Sequence, residues 1–292
     1  RVACAPSARE RPVVRSGGAR GRADDGIRAG HRPMSDWDPT LYLRFDDERT
    51  RPALDLLARV PVAAARRVID LGCGPGNSTA PLRRRWPAAR VTGLDSSPAM
   101  LDEARRGDPG VAWVEGDVAS WRPAPGAWDV IFANAVLHWV PAHLPLVAGW
   151  IAGLAPGGAL AFQVPRPPQS AAHEALAELA ASAAWRAHFA DGPAAHWVAA
   201  PADYHAALAG AGATVVTWTT EYDHVLAGPA AAVAWITGTG LRPYLARLPD
   251  DAARARFSAD LEALVAPRLP RLADGRVLFA FRRLFVVAVR AG

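Results

Sequence analysis

The stretch VIDLGCGPGNST, residues 68–79, decides the fold of this chain. An apolar run leads into glycine at every second position and then into three small polar residues. Strands buried on both faces are apolar without alternation, and glycine lets a backbone come close to a ligand. The stretch therefore predicts a strand over 66–70, a ligand-binding loop over 71–77, and a helix over 77–86 with Asn77 as its N-cap.

Strand-like and helix-like patterns alternate beyond this loop. The predicted strands cover 90–95, 111–117, 128–134 and 159–165, and the predicted helices cover 97–106 and 142–158. Such alternation is typical of an α/β fold whose open, doubly wound and mostly parallel sheet has a Rossmann-like arrangement. The chain ends in an apolar stretch, 276–290, with no helix after it. This ending predicts an antiparallel C-terminal strand.

The remaining segments suggest a helical cap and an unstructured start. Residues 170–211 and 229–268 are largely helix-like, and a strand is predicted between them over 213–226. Residues 1–33 are rich in Arg, Gly, Ala and Pro and lack apolar periodicity, which is typical of disorder. We expect a disordered extension, 1–33, before one domain, 34–292, in which the two helical segments cover the substrate.

The charge and composition exclude several classes of function. Residues 1–33 hold eight arginines and three acids, a net charge of +5, which equals the net charge of the whole chain. The rest is therefore neutral overall, which argues against nucleic acid as a partner. The chain contains no lysine, which excludes a pyridoxal-phosphate Schiff base and a phosphate-binding P-loop.

Two further absences in the sequence concern the compartment and metal binding. No apolar run approaches the roughly 18 residues that a membrane span needs. Two cysteines, Cys4 and Cys73, are too few for a disulfide framework. We therefore expect a cytoplasmic protein without a membrane partner, and the histidines show no metal-ligand spacing. The oligomeric state stays open.

Acidic residues lie at or near the ends of three predicted strands: Asp70, Asp95 and Asp117. The third glycine of the loop comes one residue earlier than in the dinucleotide fingerprint, and a carboxylate at Asp70 would repel a pyrophosphate. A ribose, an adenine and a cationic centre without phosphates fit this pattern. S-adenosylmethionine has those three parts.

Four motifs resemble the class I S-adenosylmethionine-dependent methyltransferases: VIDLGCGPGNST, VTGLDSSPAML, EGDVASW and FANAVLHWV. Within that class, the segment MSDWDPTLYLRFDDERTRPALDLLARVP, together with WITGTGLRPYL and RLFVVA, is similar to the trans-aconitate methyltransferases. The similarity extends from about Met34 to Arg290. The glycine loop alone indicates only the superfamily, whereas the N-terminal segment is far more specific.

The resemblance implies S-adenosylmethionine as the cofactor. Asp95 would bind the ribose, Ser96 and Asp117 would lie at the adenine, and Asn134 would lie near the methionine part. The implied cofactor residues are Asp70, Gly72, Gly74, Gly76, Asn77, Asp95, Ser96, Met100, Asp117, Val118, Asn134 and Trp139.

The same resemblance implies methyl transfer to a carboxylate oxygen of trans-aconitate. A carboxylate with a pKa of about 4 is already ionised at neutral pH, so no general base is required. The non-reacting carboxylates need cations, and arginine binds them with two parallel hydrogen bonds. We expect the substrate site to use Tyr42, Arg44, His138, Tyr204, Arg242 and Arg283, with His138 shaping the pocket rather than acting as a base.

Several alternatives stay open at this point. Arg49 and Arg51 either contribute to the substrate site or form a solvated helix face. The segment PRPPQSAAHEAL is more proline-rich than the family pattern, and His138 stands where glutamine is more usual, so another small acid or a natural product is an alternative acceptor. A dinucleotide-dependent oxidoreductase and a non-catalytic binding module are the competing classes.

Overall fold

The computed structural model describes residues 46–166, 170–190, 192, 197–237 and 240–292, and for 46–49 it describes the backbone alone. The predicted extension, 1–33, lies outside the described residues, as do Tyr42 and Arg44. Within the described ranges, no helix is both long enough and apolar enough to cross a membrane.

One seven-stranded sheet organises the described chain. Its strands are β1 (Arg67–Leu71), β2 (Arg90–Asp95), β3 (Ala112–Glu115), β4 (Trp128–Asn134), β5 (Leu154–Pro165), β6 (Ala213–Leu226) and β7 (Val277–Arg290). They lie in the order β3-β2-β1-β4-β5-β7-β6. Neighbours from β3 to β5 are parallel, whereas β7 runs antiparallel between β5 and β6. The predicted mostly parallel sheet and its antiparallel C-terminal strand are both confirmed.

Helices cover both faces of this sheet. They are α1 (Asp46–Ala58), α2 (Thr79–Arg85), α3 (Pro98–Gly107), α4 (Leu144–Gly153), α5 (Ala171–Ala181), α6 (Pro201–Gly210), α7 (Pro229–Thr237), α8 (Arg242–Leu245) and α9 (Asp251–Val265). On one face, α1 and α2 join a buried cluster around Phe132 of β4. On the other face, α4 and α6 join a cluster around Phe162 of β5. Strands β1, β2, β4, β5 and β7 place apolar side chains in both clusters, as burial on two faces requires.

Apart from α6, which packs with α4 on the sheet, the helices of the two predicted cap segments form a core of their own. Leu176 of α5, Ile236 of α7 and Phe257 of α9 are buried together, and Phe279 of β7 joins them. Within the described residues, the segment 229–268 contains the separate helices α7, α8 and α9. Because α5, α7 and α9 pack on one another, they form a second hydrophobic core next to the β6–β7 pair.

Two predicted boundaries were wrong. Helix α2 begins at Thr79 with Ser78 at the N-cap position, so Asn77 is not the cap. The Ser78 hydroxyl donates to Asp70 instead of capping the helix. Strand β5 begins at Leu154, within a segment predicted as helix, because Leu154 pairs with Trp128 before an irregularity at which residues 155–158 of β5 lie opposite Asp129 of β4.

Polar contacts attach α1 to the far side of the sheet. The Tyr222 hydroxyl on β6 donates to the Asp55 carboxylate on α1 at 2.6 Å. The Arg59 guanidinium, just after α1, lies 4.2 Å from the centre of the Trp218 ring. These contacts hold α1 over the strand pair β6–β7.

Tyr222→Phe should therefore lower the free energy of unfolding by about 1 kcal/mol, since it removes a hydrogen bond to a charged but solvent-exposed acceptor. Urea unfolding of this variant, of Asp55→Asn and of the double variant measures the coupling. The double variant should have a free energy of unfolding within a few tenths of a kcal/mol of that of the less stable single variant. Fully additive losses would show that the two side chains act independently.

Candidate functional site

The glycine loop forms a tight turn at the carboxyl end of β1. Gly72, Gly74 and Gly76 have φ angles of +67°, +54° and +98°, which side-chain-bearing residues rarely adopt. The Gly72 amide donates to the Leu94 carbonyl at 2.7 Å, which ties the loop to β2. A Cβ at Gly72 would lie 2.4 Å from Val136, whereas one at Gly74 would meet no atom of the described residues within 4 Å. Among these residues, the Gly74 backbone faces open space that a ligand can occupy.

Asp95 supports this loop from the end of β2. One carboxylate oxygen accepts the Gly74 amide at 2.8 Å, and the other accepts the Ser97 amide at 2.9 Å. An ionised carboxylate accepts hydrogen bonds and donates none. Asp95 is half-buried, which leaves it within reach of a ligand at Gly74.

Asp70 is a fully buried carboxyl group in β1, directly before the loop. Its Oδ2 atom accepts the hydroxyls of Ser78 at 2.7 Å and of Thr79 at 2.6 Å. Its Oδ1 atom is buried and has no hydrogen-bond partner in the part of the chain that the structure describes. Burial raises the pKa of Asp70 to about 7, the negative charge of Asp95 adds to this, and the two hydroxyls oppose it. A cationic ligand at the loop would satisfy this carboxylate.

The other predicted cofactor residues differ in exposure. Met100 and Val118 are buried, Ser96 and Asp117 are exposed, and Asn77 is half-buried. Met100 also lies in the first turn of α3, where its amide donates to the Ser97 hydroxyl at 3.3 Å, so Ser97 is the N-cap of α3.

Trp113 on β3 is a loop contact that the sequence did not single out. A Cβ at Gly76 would lie 3.1 Å from its ring, and one at Gly93 would lie 2.4 Å from it. Its indole nitrogen donates to the Asp108 carbonyl at 2.8 Å, which fixes the ring. Two glycines therefore make room for a fixed ring beneath the loop, and no spacing in the sequence could have indicated this contact.

A row of polar side chains continues along the same side of the sheet, at the ends of β4 and β5 and at the middle of β7, where Arg283 lies opposite Pro165. Gln163 on β5 is fully buried and donates to Asn134 on β4 at 2.6 Å. Arg283 on β7 donates to Gln163 at 3.3 Å. Ala135, just after β4, has a φ of +54°, a strained conformation for a residue with a side chain.

Arg283 brings a buried positive charge to this row. It lies opposite Pro165 of β5, only 7% exposed, and its guanidinium is 4.5 Å from the centre of the Phe281 ring. This charge acts on His224, whose pKa is lowered to about 4. Burial is the largest cause, and the positive charges of Arg283 and then Arg51 add to it. Arg51, on α1, is thus close enough to share this electropositive region.

The predicted substrate residues are only partly brought together. Arg242 is half-buried at the start of α8, and His138 is buried beside Trp139, with ring centres 4.8 Å apart. Tyr204 was predicted to contact substrate, but it is fully buried in the core between α4 and α6. Its hydroxyl is 2.5 Å from Nε2 of His143, so its polar group is already used inside the protein.

A protein-family model described as "Methyltransferase domain" matches residues 68–158, which include the loop and strands β1 to β4. The trans-aconitate 2-methyltransferase of Paracidovorax citrulli is 49% identical over 260 residues, 88% of this chain and 100% of that protein. The enzyme of the same name from Methylobacterium nodulans is 51% identical over 258 residues, 88% of this chain and 99% of that protein.

Among solved structures, the phosphoethanolamine N-methyltransferase 2 of Haemonchus contortus in complex with S-adenosyl-L-methionine matches with a TM-score of 0.50 at 15% identity. The match covers 83% of this chain and 53% of that one, and it supports the fold alone. Both trans-aconitate 2-methyltransferases align with this chain over nearly their whole length, and about half of the aligned residues are identical. The chain belongs to the trans-aconitate 2-methyltransferase family, within the S-adenosylmethionine-dependent methyltransferases.

Proposed function

We propose that this protein transfers the methyl group of S-adenosylmethionine to a carboxylate oxygen of trans-aconitate. The observation that carries the proposal is the charge pattern of one sheet edge. Carboxylates line the cofactor end at Asp70 and Asp95, and a buried guanidinium, Arg283, lies three strands away at the other end. A cationic donor and an anionic acceptor fit such a division.

The residues at the cofactor end suit S-adenosylmethionine. Its ribose hydroxyls would donate to the Asp95 carboxylate, which can only accept hydrogen bonds. Its cationic part would lie near the buried Oδ1 atom of Asp70. The open space above Gly74 lets the cofactor approach the backbone. When bound, the cofactor supplies an electrophilic methyl group on a sulfonium.

The chain's own residues would act by position and charge. An ionised carboxylate needs no general base, so catalysis requires an in-line approach at near-attack distance. We propose that Arg283 and Arg242 hold the non-reacting carboxylates and that helices α5, α7 and α9 cover them. Excluding water would also strengthen the nucleophile, which is less solvated inside a closed site.

Asp70→Asn tests the cofactor end through its pH dependence. The folded pKa of Asp70 is raised, so the free folded protein holds a proton that the unfolded chain has lost between about pH 4 and pH 7. Stability should therefore fall as the pH rises through that window, by an amount on the order of a few kcal/mol, and the variant should lack this component.

The affinity for S-adenosylmethionine should change in the opposite direction. It should rise with pH as Asp70 ionises, and at pH 8 the variant should bind about tenfold more weakly than the wild type. Calorimetry and urea unfolding at pH 5 and pH 8 measure both quantities. Parallel pH profiles for wild type and variant would remove Asp70 from the proposed site.

Tyr204→Phe separates core residues from substrate residues. The hydroxyl bonds to His143 inside the core, so its removal should cost about 1–2 kcal/mol of stability. The KM for the acid should stay within about twofold of wild type, a change within the error of context effects. A large rise in KM without a loss of stability would restore Tyr204 to the substrate site.

A panel of small acids tests the named substrate. The kcat/KM for trans-aconitate should exceed that for its cis isomer and for dicarboxylates, because fewer or misplaced carboxylates leave arginine charges unpaired. A preference for another acid would keep the reaction and change the acceptor. Stabilisation by NAD but not by S-adenosylmethionine in a thermal-shift assay would contradict the reaction class itself.

A further inference from the structure

Gln163 connects the two ends of the proposed site. Its side chain is fully buried, accepts a hydrogen bond from Arg283 at 3.3 Å and donates one to Asn134 at 2.6 Å. The three residues come from the neighbouring strands β7, β5 and β4. One amide thus spans the distance between the arginine on the substrate side and the amide on the cofactor side.

The direction of these hydrogen bonds follows from the chemistry of the groups. A guanidinium can only donate, so the oxygen of the Gln163 amide must face Arg283. The nitrogen of that amide then faces Asn134, which must present its own oxygen to accept the bond. The Asn134 nitrogen is therefore turned away from Gln163, and it donates to no acceptor among the residues that the structure describes.

We propose that Gln163 is a positioning residue that fixes Asn134 as a hydrogen-bond donor to a ligand carboxylate while it holds Arg283 in place. The carboxylate belongs either to the methionine part of the cofactor or to the acid that is methylated. This inference rests on the proposed function, since both ligands come from it. It adds to the proposed function a residue, Gln163, that acts through Asn134 and Arg283.

The neutrality of Gln163 is part of the proposal. A glutamate would accept a bond from Arg283 equally well, but its negative charge would offset the guanidinium charge that the acid needs. It would also have no donor for Asn134, so Asn134 would turn its nitrogen toward the new carboxylate. Gln163→Glu therefore reverses the direction of the hydrogen bond between residue 163 and Asn134 with little change in side-chain shape.

The experiment compares Gln163→Glu and Gln163→Met with Arg282→Gln as a matched control. Arg282 is the neighbour of Arg283 on β7, but it is exposed and paired with Glu221. Steady-state kinetics on the acid that the wild type methylates best give KM and kcat, and calorimetry gives the affinity for S-adenosylmethionine. Thermal unfolding shows whether each variant is folded.

Gln163→Glu should raise the KM for the acid by about tenfold or more, the cost of offsetting a charge-assisted contact. Gln163→Met, which leaves the charge of Arg283 intact, should mainly lower kcat by about tenfold when Asn134 serves the reacting acid. When Asn134 serves the cofactor, the affinity for S-adenosylmethionine should fall by about that factor instead.

Folded variants with wild-type KM, kcat and cofactor affinity would overturn the proposal. A wild type that methylates no acid would contradict the proposed function instead. In that case the affinity of Gln163→Met for S-adenosylmethionine tests whether Gln163 positions Asn134. An unchanged affinity contradicts that inference.

Discussion

Replacing Arg283 with alanine should raise the KM for trans-aconitate by about ten- to a hundredfold. A charge-assisted hydrogen bond contributes about 1.5–3 kcal/mol, and each 1.4 kcal/mol is a factor of ten. The guanidinium is buried at the edge of the sheet, and its charge already lowers the pKa of His224. The affinity for S-adenosylmethionine should change by less than about threefold, because Arg283 lies three strands from the glycine loop.

The matched control for this prediction is Arg282→Ala. That side chain is on the same strand, but it is exposed and pairs with Glu221, so its loss should leave KM unchanged. Arg283→Lys should recover only part of the affinity, because an ammonium lacks the planar fork of the guanidinium. If Arg283→Ala keeps the wild-type KM, this arginine is structural, and the substrate must be held by other cations such as Arg242.

Replacing Asp95 with alanine should weaken S-adenosylmethionine binding by about 2 kcal/mol, or roughly thirtyfold. The variant loses the acceptor for the ribose and also frees the amides of Gly74 and Ser97, both of which the carboxylate holds. Calorimetry measures the affinity. Asp102→Ala on the exposed side of α3 removes an equal charge and should have no effect.

Asp95→Asn divides that loss into its two parts. An asparagine oxygen can still accept one backbone amide and one hydroxyl, so much of the loop contact should persist while the negative charge is lost. We expect an intermediate affinity, about five- to tenfold below wild type. Wild-type binding by both variants would show that the cofactor does not contact Asp95.

The sheet could be predicted from the sequence because the signals for its strands lie within short segments of the chain. Each of the strands has an apolar run and a turn at its end, and the glycine loop places the site at the carboxyl edge. Boundaries were less secure where a tertiary pairing overrides local preference. Leu154 follows a helix directly and pairs with Trp128, so the apparent helix end over residues 154–158 belongs to β5.

The cofactor end was more predictable than the substrate end for the same reason. Asp70, Asp95 and the glycines lie within single motifs, and the structure joins them by short hydrogen bonds. Gln163 and Arg283 are 120 residues apart in the chain, and their contact exists only because β7 inserts next to β5. The Tyr204 hydroxyl bonds to His143 inside the core, and nothing in the sequence indicated this contact.

The most direct test of the central claim is the mass of the product formed from trans-aconitate, S-adenosylmethionine and the purified protein. The account predicts a monomethyl ester that carries the methyl group of an isotopically labelled donor, formed in proportion to S-adenosylhomocysteine. It also predicts that Arg283→Ala slows this product at low acid concentration, whereas Arg282→Ala does not. Release of S-adenosylhomocysteine without a methylated acid, or no turnover with any acid of the panel, would contradict it.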